Sequence, residues 1–310
     1  MSSPFNQLSE FIKSEANHLG FSACGISKAG RLEKAEQKME KWLADGKHGE
    51  MAYLERNREK RYNPVLLVEK AKSVITVLYN YYPEERLETS DNFQISKYAY
   101  GKDYHYIIKA KLDQLLEKIE MKTGKRKARI FVDSAPVLDR TWAQKSGLGF
   151  IGKNTLLINK KEGSFFFIGH IILDLELDYE ESSPANYCGS CTECIDACPT
   201  GALEAFEVDA RKCISYLTIE YRGNTLPEDL KGKFNNWIFG CDICQDVCPW
   251  NRFSKPNNEP LFGLIEDLKK MRKTDWEQLD KPKFKQLFKG TAIERTGFKS
   301  LKRNIDFLTD

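Results

Sequence analysis

The residues whose types and spacing point most directly to chemistry are cysteines. The chain has nine in 310 residues, eight of them between Cys188 and Cys248, with Cys24 apart. The first run, Cys188-Gly-Ser-Cys191-Thr-Glu-Cys194-Ile-Asp-Ala-Cys198-Pro199, is C-x2-C-x2-C-x3-C-P. In bacterial ferredoxins the fourth cysteine of such a run ligates the other of two clusters. The second run, Cys241-Asp-Ile-Cys244-Gln-Asp-Val-Cys248-Pro249, lacks a leading cysteine, and Cys213 is the available substitute. The spacing therefore predicts one [4Fe–4S] cluster on Cys188, Cys191, Cys194 and Cys248, and a second on Cys198, Cys213, Cys241 and Cys244. Structural zinc, the alternative, usually presents paired C-x2-C knuckles rather than a triple with a proline-terminated fourth. A disulfide framework suits short secreted chains, which this is not. Cys24 reads as a packed core thiol.

Clusters that shuttle electrons need a consumer. Ala128-Arg-Ile-Phe-Val-Asp133 reads as a strand ending at a carboxylate. Asp133 would face a cleft, where burial against an apolar ligand could hold a proton on it; equally, it would cap a helix beginning at Pro136, with Ser134 as rival cap. Gly147-Leu-Gly149-Phe-Ile-Gly152 matches the dinucleotide pattern G-x-G-x-x-G, but a helix precedes it and a strand follows, the reverse of what that pattern needs. Charge is uneven: residues 251–310 carry 14 Lys/Arg against 9 Asp/Glu, and Lys122–Arg129 forms a second basic knot. Such runs are either solvated faces or phosphate-contacting surfaces.

These groups need a scaffold. The composition, 41% apolar and 30% charged, is that of a folded globular protein rather than a disordered one. No run approaches a membrane span, and the first residues lack the features of an export signal, so a cytoplasmic protein with no membrane partner is expected. Helical spacing marks residues 5–18, 31–46, 106–121 and 137–145; strand patterns mark 73–79, 128–133, 155–159 and 164–173. This alternation predicts an α/β (α+β) domain over residues 1–177, a ferredoxin-type double-cluster domain over 178–258 entered through a linker at 178–186, and a short basic helical segment over 259–310.

In order along the chain, Met51-Ala-Tyr-Leu-Glu-Arg56, Lys97-Tyr-Ala-Tyr-Gly101-Lys-Asp103-Tyr104-His105, Val132-Asp133-Ser-Ala-Pro136, Gly149-Phe-Ile-Gly152-Lys153-Asn154 and the double cysteine run resemble the epoxyqueuosine reductase family. The resemblance implies a cobalamin-binding domain related to reductive dehalogenases, base-off cobalamin fed by the two clusters, and reduction of the epoxide of epoxyqueuosine at the tRNA wobble position to the cyclopentene of queuosine. It implies Asp133 as proton donor. Asp103, Tyr104 and His105 would line the active site; the D-x-H-x-x-G pattern of histidine-ligated corrinoids is incomplete here, Ile108 standing where glycine belongs. Arg56, Arg140, Lys153 and Asn154 are expected near the corrin, its amides or its phosphate. Tyr216, Tyr221, Arg222 and Trp237 are candidates to touch a tRNA anticodon stem-loop, with core packing as their other reading. The C-terminal part resembles the repeat-like end of some members but is short. A monomer served by an unidentified low-potential electron donor is expected. The rivals are a reductive dehalogenase of small organohalides, disfavoured by the missing twin-arginine signal and by Asp133 in place of a tyrosine acid, and a non-catalytic electron-transfer or corrinoid-handling protein.

Overall fold

The computed structural model describes residues 4–88, 90–180 and 185–309; of the expected linker, 181–184 lie outside the described residues. At its centre are four strands, β1 (Ala23–Lys28), β2 (Ser73–Asn80), β3 (Ala128–Phe131) and β4 (Phe166–Leu173), in the order β1-β2-β4-β3. Every neighbouring pair is antiparallel, with Thr76 facing Gly25 on one side and His170 on the other. β2 is covered on both faces, which explains its near-continuous apolar run: Ile75, Val77 and Tyr79 share one core, while Val74 and Leu78 belong to clusters on the other face.

The first face is closed by α1 (Pro4–His18) and α3 (Tyr104–Thr123). α3 buries Tyr104, Ile108, Leu112, Leu115 and Ile119, a three-and-four spacing that forms one stripe against the sheet. The second face holds α2 (Glu33–Ala44) nearby and α4 (Asp139–Lys145), whose Trp142 packs with Leu32, Val68, Val74, Phe131 and Ile172. The helix expected from residue 137 begins at Asp139. Gly147, at φ 72°, follows the end of α4, and Phe150–Ile151 then pairs antiparallel with Leu157–Ile158. The glycine-rich stretch is thus a helix end leading into a hairpin, not a phosphate-binding turn. β1 and Phe150–Ile151 are strands the apolar pattern did not mark.

The C-terminal segment is integral to the structure. A 3-10 turn at Ala292–Thr296 and α5 (Phe298–Thr309) share a core with Phe93, Ile95, Tyr100, Ile238 and Phe239. Trp237–Phe239 pairs in parallel with Gln94–Ile95, so chain from all three sequence regions meets there. The Lys102 and Asp103 N–H groups donate to the Leu261 and Gly290 carbonyls at 2.8 and 2.9 Å. Gly101 makes this approach possible, since a Cβ there would lie 2.2 Å from the Leu261 carbonyl oxygen. No helix among the described residues is long and apolar enough to cross a membrane.

Candidate active site and cysteine centres

Asp133 stands two residues past β3 in the left-handed region at φ 54°, which is uncommon for a residue other than glycine and often marks a functional position. It does not cap α4, whose N-cap is Leu138 with no side-chain bond. Its carboxylate, 63% exposed, accepts a 2.6 Å bond from the Tyr104 hydroxyl. The Tyr104 ring is held between Phe167, stacked at 4.0 Å, and the His105 ring at 4.1 Å. Burial, then the neighbouring Asp133 charge and bond, push the Tyr104 hydroxyl well above the ordinary phenol value, so it remains a donor to Asp133.

Asp103 is buried and is the N-cap of α3, accepting from the His105 N–H at 3.1 Å. It also lies 2.7 Å from His105 Nδ1. Burial alone would raise its carboxyl, but the two bonds from His105 and the nearby Arg295 hold it below the usual carboxylate range. His105 Nε2 is 3.7 Å from Asp133 Oδ2. Both ring nitrogens are therefore engaged within the protein. Two charged residues of this neighbourhood were not foreseen. Arg295 reaches Asp103 at 3.5 Å from the C-terminal segment. Glu220, its carboxyl pushed up by burial, feels Arg222, Asp133 and Arg295. No local spacing links either one to residue 133.

A small cleft is tied to this site through Arg140. It is lined by Leu156, Leu157, Phe166 and Ile168 with Tyr81, Ser164, Arg140 and Gln245. Arg140 is exposed, donates to the Thr155 carbonyl at 2.6 Å and feels the Asp133 charge; Gln245 directly follows Cys244. The cleft, about 80 Å³, would meet only part of a large ring, but its apolar floor with amide, hydroxyl and guanidinium walls matches in chemistry an apolar face and an amide-bearing edge. Arg56 is exposed. Lys153 and Asn154 point instead to the cysteine loops. The Lys153 ammonium donates to the Gly189 and Cys191 carbonyls at 2.8 Å each, and the buried Asn154 amide donates to the Cys244 carbonyl at 3.1 Å.

The thiols stand in two groups. Cys188, Cys191, Cys194 and Cys248 line one cavity of about 220 Å³ together with Lys153, Tyr187 and Trp250. Cys198, Cys213, Cys241 and Cys244 form the other group: Cys213 feels the charge of Cys198, and Cys241 and Cys244 feel those of Cys198 and Cys213. Burial pushes the Cys213, Cys241 and Cys244 thiols up, so four thiolates there need compensating cations, which the iron of a cluster supplies. Backbone N–H groups of Lys153 and Ala202 point at Cys188 Sγ (3.4 Å) and Cys198 Sγ (3.3 Å), the kind of bond that tunes a cluster's potential. Among the described residues no three His, Cys, Asp or Glu side chains converge as a single-ion site; sulfurs set around a cavity suit a group several atoms across. Cys24 belongs to neither group, and burial pushes its thiol up to about 12.

The expected tRNA-contacting residues divide. Tyr216 is buried, its hydroxyl accepting from the Glu50 N–H at 2.7 Å, and Trp237 is buried in the same core, so neither offers a face for stacking. Tyr221 is partly buried beneath the Arg303 guanidinium. Arg222 is exposed.

The family model described as "Epoxyqueuosine reductase QueG, DUF1730" matches residues 61–134, and that described as "4Fe-4S double cluster binding domain" matches 187–251. The chain is 54% identical over 301 residues to an epoxyqueuosine reductase of Cellulophaga algicola, covering 97% of both proteins. It is similar to a crystal structure of epoxyqueuosine reductase with an epoxyqueuosine-modified tRNA-Tyr stem loop (28% identity, TM-score 0.88, 97% of this chain and 80% of that one). It is also similar to the Bacillus subtilis epoxyqueuosine reductase, in a structure whose aspartate catalytic loop is swung out of the active site (27% identity, TM-score 0.86, 97% and 81%). The catabolic reductive dehalogenase NpRdhA shares the fold alone, at 17% identity and TM-score 0.50, over 97% of this chain and 38% of that one.

Proposed function

Because the chain belongs to the epoxyqueuosine reductase family, we propose that it reduces the epoxide of epoxyqueuosine in tRNA with Asp133 as the acid. Two electrons and two protons enter; both C–O bonds of the epoxide break, a C=C bond forms, and the oxygen leaves as water. Cleavage of the first C–O bond leaves negative charge on oxygen, and a positioned acid must meet it. The observation that carries this reading is the left-handed backbone at Asp133, which leaves its carboxyl exposed yet fixed by the Tyr104 hydroxyl at 2.6 Å. The likeness to a relative with an aspartate catalytic loop supports it.

Cys188, Cys191, Cys194 and Cys248 would hold one cluster, and Cys198, Cys213, Cys241 and Cys244 the other. Arg140, Gln245 and the apolar floor of Leu156, Phe166 and Ile168 would hold cobalamin base-off, with Arg56 at its periphery. When bound, these groups supply low-potential electrons and a strongly reducing cobalt, which epoxide opening requires. The engaged nitrogens of His105 leave it to the acid site rather than to cobalt.

The substrate is a tRNA anticodon stem-loop. Lysines and arginines of the C-terminal segment and Arg222 would contact phosphates, while the wobble base, turned out of its stack, enters the cleft. The enzyme acts as a monomer supplied by a low-potential electron donor. The test is anaerobic turnover by the iron- and cobalamin-loaded protein of a stem-loop carrying epoxyqueuosine. Mass analysis should show loss of one oxygen from the modified base; an unchanged base with a fully loaded, reduced protein would overturn the reading.

A further inference from the structure

Resting on that reaction, the structure assigns a role to Arg295, a residue of the C-terminal segment for which the sequence suggested nothing beyond a place in a basic surface. We infer that Arg295 is a positioning residue that, together with Asp103, fixes His105 as the neutral Nδ1–H tautomer, with its Nε2 lone pair turned toward Asp133.

A guanidinium can only donate, and Arg295 Nη1 lies 3.4 Å from His105 Nε2, so that nitrogen must accept. An ionised carboxylate can only accept, and Asp103 Oδ1 lies 2.7 Å from His105 Nδ1, so that nitrogen must carry the proton. The two neighbours select the same tautomer. They are also tied to each other, Arg295 Nε standing 3.5 Å from Asp103 Oδ2, so the arginine charge is balanced by a buried carboxylate. The backbone enforces the arrangement: the Asp103 N–H donates to the Gly290 carbonyl, five residues before Arg295.

The consequence falls on Asp133, whose Oδ2 is 3.7 Å from that same Nε2. An acceptor facing a carboxyl group favours its protonated form, the form a proton donor must hold before each turnover, and so works against the Tyr104 hydroxyl, which donates to the same Oδ2 and favours the ionised form. An imidazolium in the same place would donate to the carboxylate and favour its ionised form. A guanidinium already beside Nε2 opposes that protonation of the ring. The other charged or titratable groups facing this cluster are Tyr98 before α3 and Tyr104 on it, Tyr53, Arg140, which feels the Asp133 charge, and Glu220, which senses both Asp133 and Arg295.

The test compares wild type, R295Q and R295K as cofactor-loaded enzymes, reading single-turnover rate on the epoxyqueuosine stem-loop and the nitrogen-15 NMR signature of His105. In R295Q the rate should fall at least about tenfold, part of the ~10²–10⁴ a positioned acid supplies, and His105 should no longer be held as the Nδ1–H tautomer. KM for the stem-loop and the cluster and cobalamin spectra should stay those of wild type, and R295K, which also only donates, should restore the tautomer. An unchanged rate, or a lower rate with the Nδ1–H tautomer kept, overturns the assignment while leaving the reductase reading intact; an inactive wild type overturns that reading instead. Should R295Q not load, nitrogen-15 NMR of labelled histidine in oxidised wild-type holoenzyme decides. His105 should show the Nδ1–H tautomer at neutral pH; an imidazolium or the Nε2–H tautomer would contradict it.

Discussion

The cysteine centres and the acid site are neighbours built in opposite ways. All eight ligand candidates fall between residues 188 and 248, and three of the first four sit in one seven-residue run. Short covalent spacing does most of the positioning there. The acid site draws Asp103, Tyr104 and His105 from the start of α3, Asp133 from just past β3, Glu220 from the far end of the short helix that follows Cys213 and Arg295 from the C-terminal segment. Only tertiary packing brings these together. A centre of the first kind fails when a ligand is lost, whereas one of the second kind can be loosened from far away without touching a reacting group.

The largest break in this comparison should come from a ligand. Cys244→Ala removes one of four thiols from the second group, and the loaded protein should fall from about eight iron atoms to about four, with turnover lost. Full iron content in this variant would dismantle the ligand assignment.

Next comes a remote lesion in the acid site. Gly101→Ala places a Cβ 2.2 Å from the Leu261 carbonyl oxygen, and the contact is with backbone. Overpacking of this kind costs about 1–3 kcal/mol, so melting should occur several degrees lower, at roughly 2–4 °C per kcal/mol for a chain of this size class. Iron content should be untouched while turnover slows, because the shifted segment carries Gly290 and Arg295. A variant with native melting and native turnover would show that docking of the C-terminal segment does not govern the site.

The smallest effect is expected at the surface. Arg222→Ala should weaken stem-loop binding a few-fold and reduce the slope of log affinity against log salt by about one, as loss of a single phosphate contact does. Tyr216→Phe should leave that slope unchanged, because its hydroxyl serves the Glu50 backbone rather than the surface.

The same contrast explains what could be read before the fold was known. C-x2-C-x2-C-x3-C-P is a local pattern, and thiols at that spacing have few other uses. Helices α1 and α3 and strands β2 and β4 were legible because their apolar residues recur at 3.6 or fill a strand buried on both faces. β1 escaped because Ala23-Cys24-Gly25-Ile26-Ser27-Lys28 carries little apolar signal of its own and becomes a strand by pairing with β2. Lys153 and Asn154 were expected beside a corrin, yet their side chains bind the cysteine loops, since a hairpin rather than a phosphate turn presents them. Tyr216 and Trp237 show the limit of composition: an aromatic side chain between cysteine runs serves a core as readily as a base-stacking surface. Arg295 lies 190 residues from His105, and no local period can report such a pairing.

The decisive measurement is single-turnover reduction of an epoxyqueuosine stem-loop by Asp133→Asn, loaded with iron and cobalamin and reduced to the same extent as wild type. The asparagine keeps an acceptor for the Tyr104 hydroxyl but has no acidic proton to give, so a fall of at least about 10²-fold is expected, with cofactor spectra and stem-loop affinity retained. Turnover at the wild-type rate would contradict the assignment of the proton to this carboxyl.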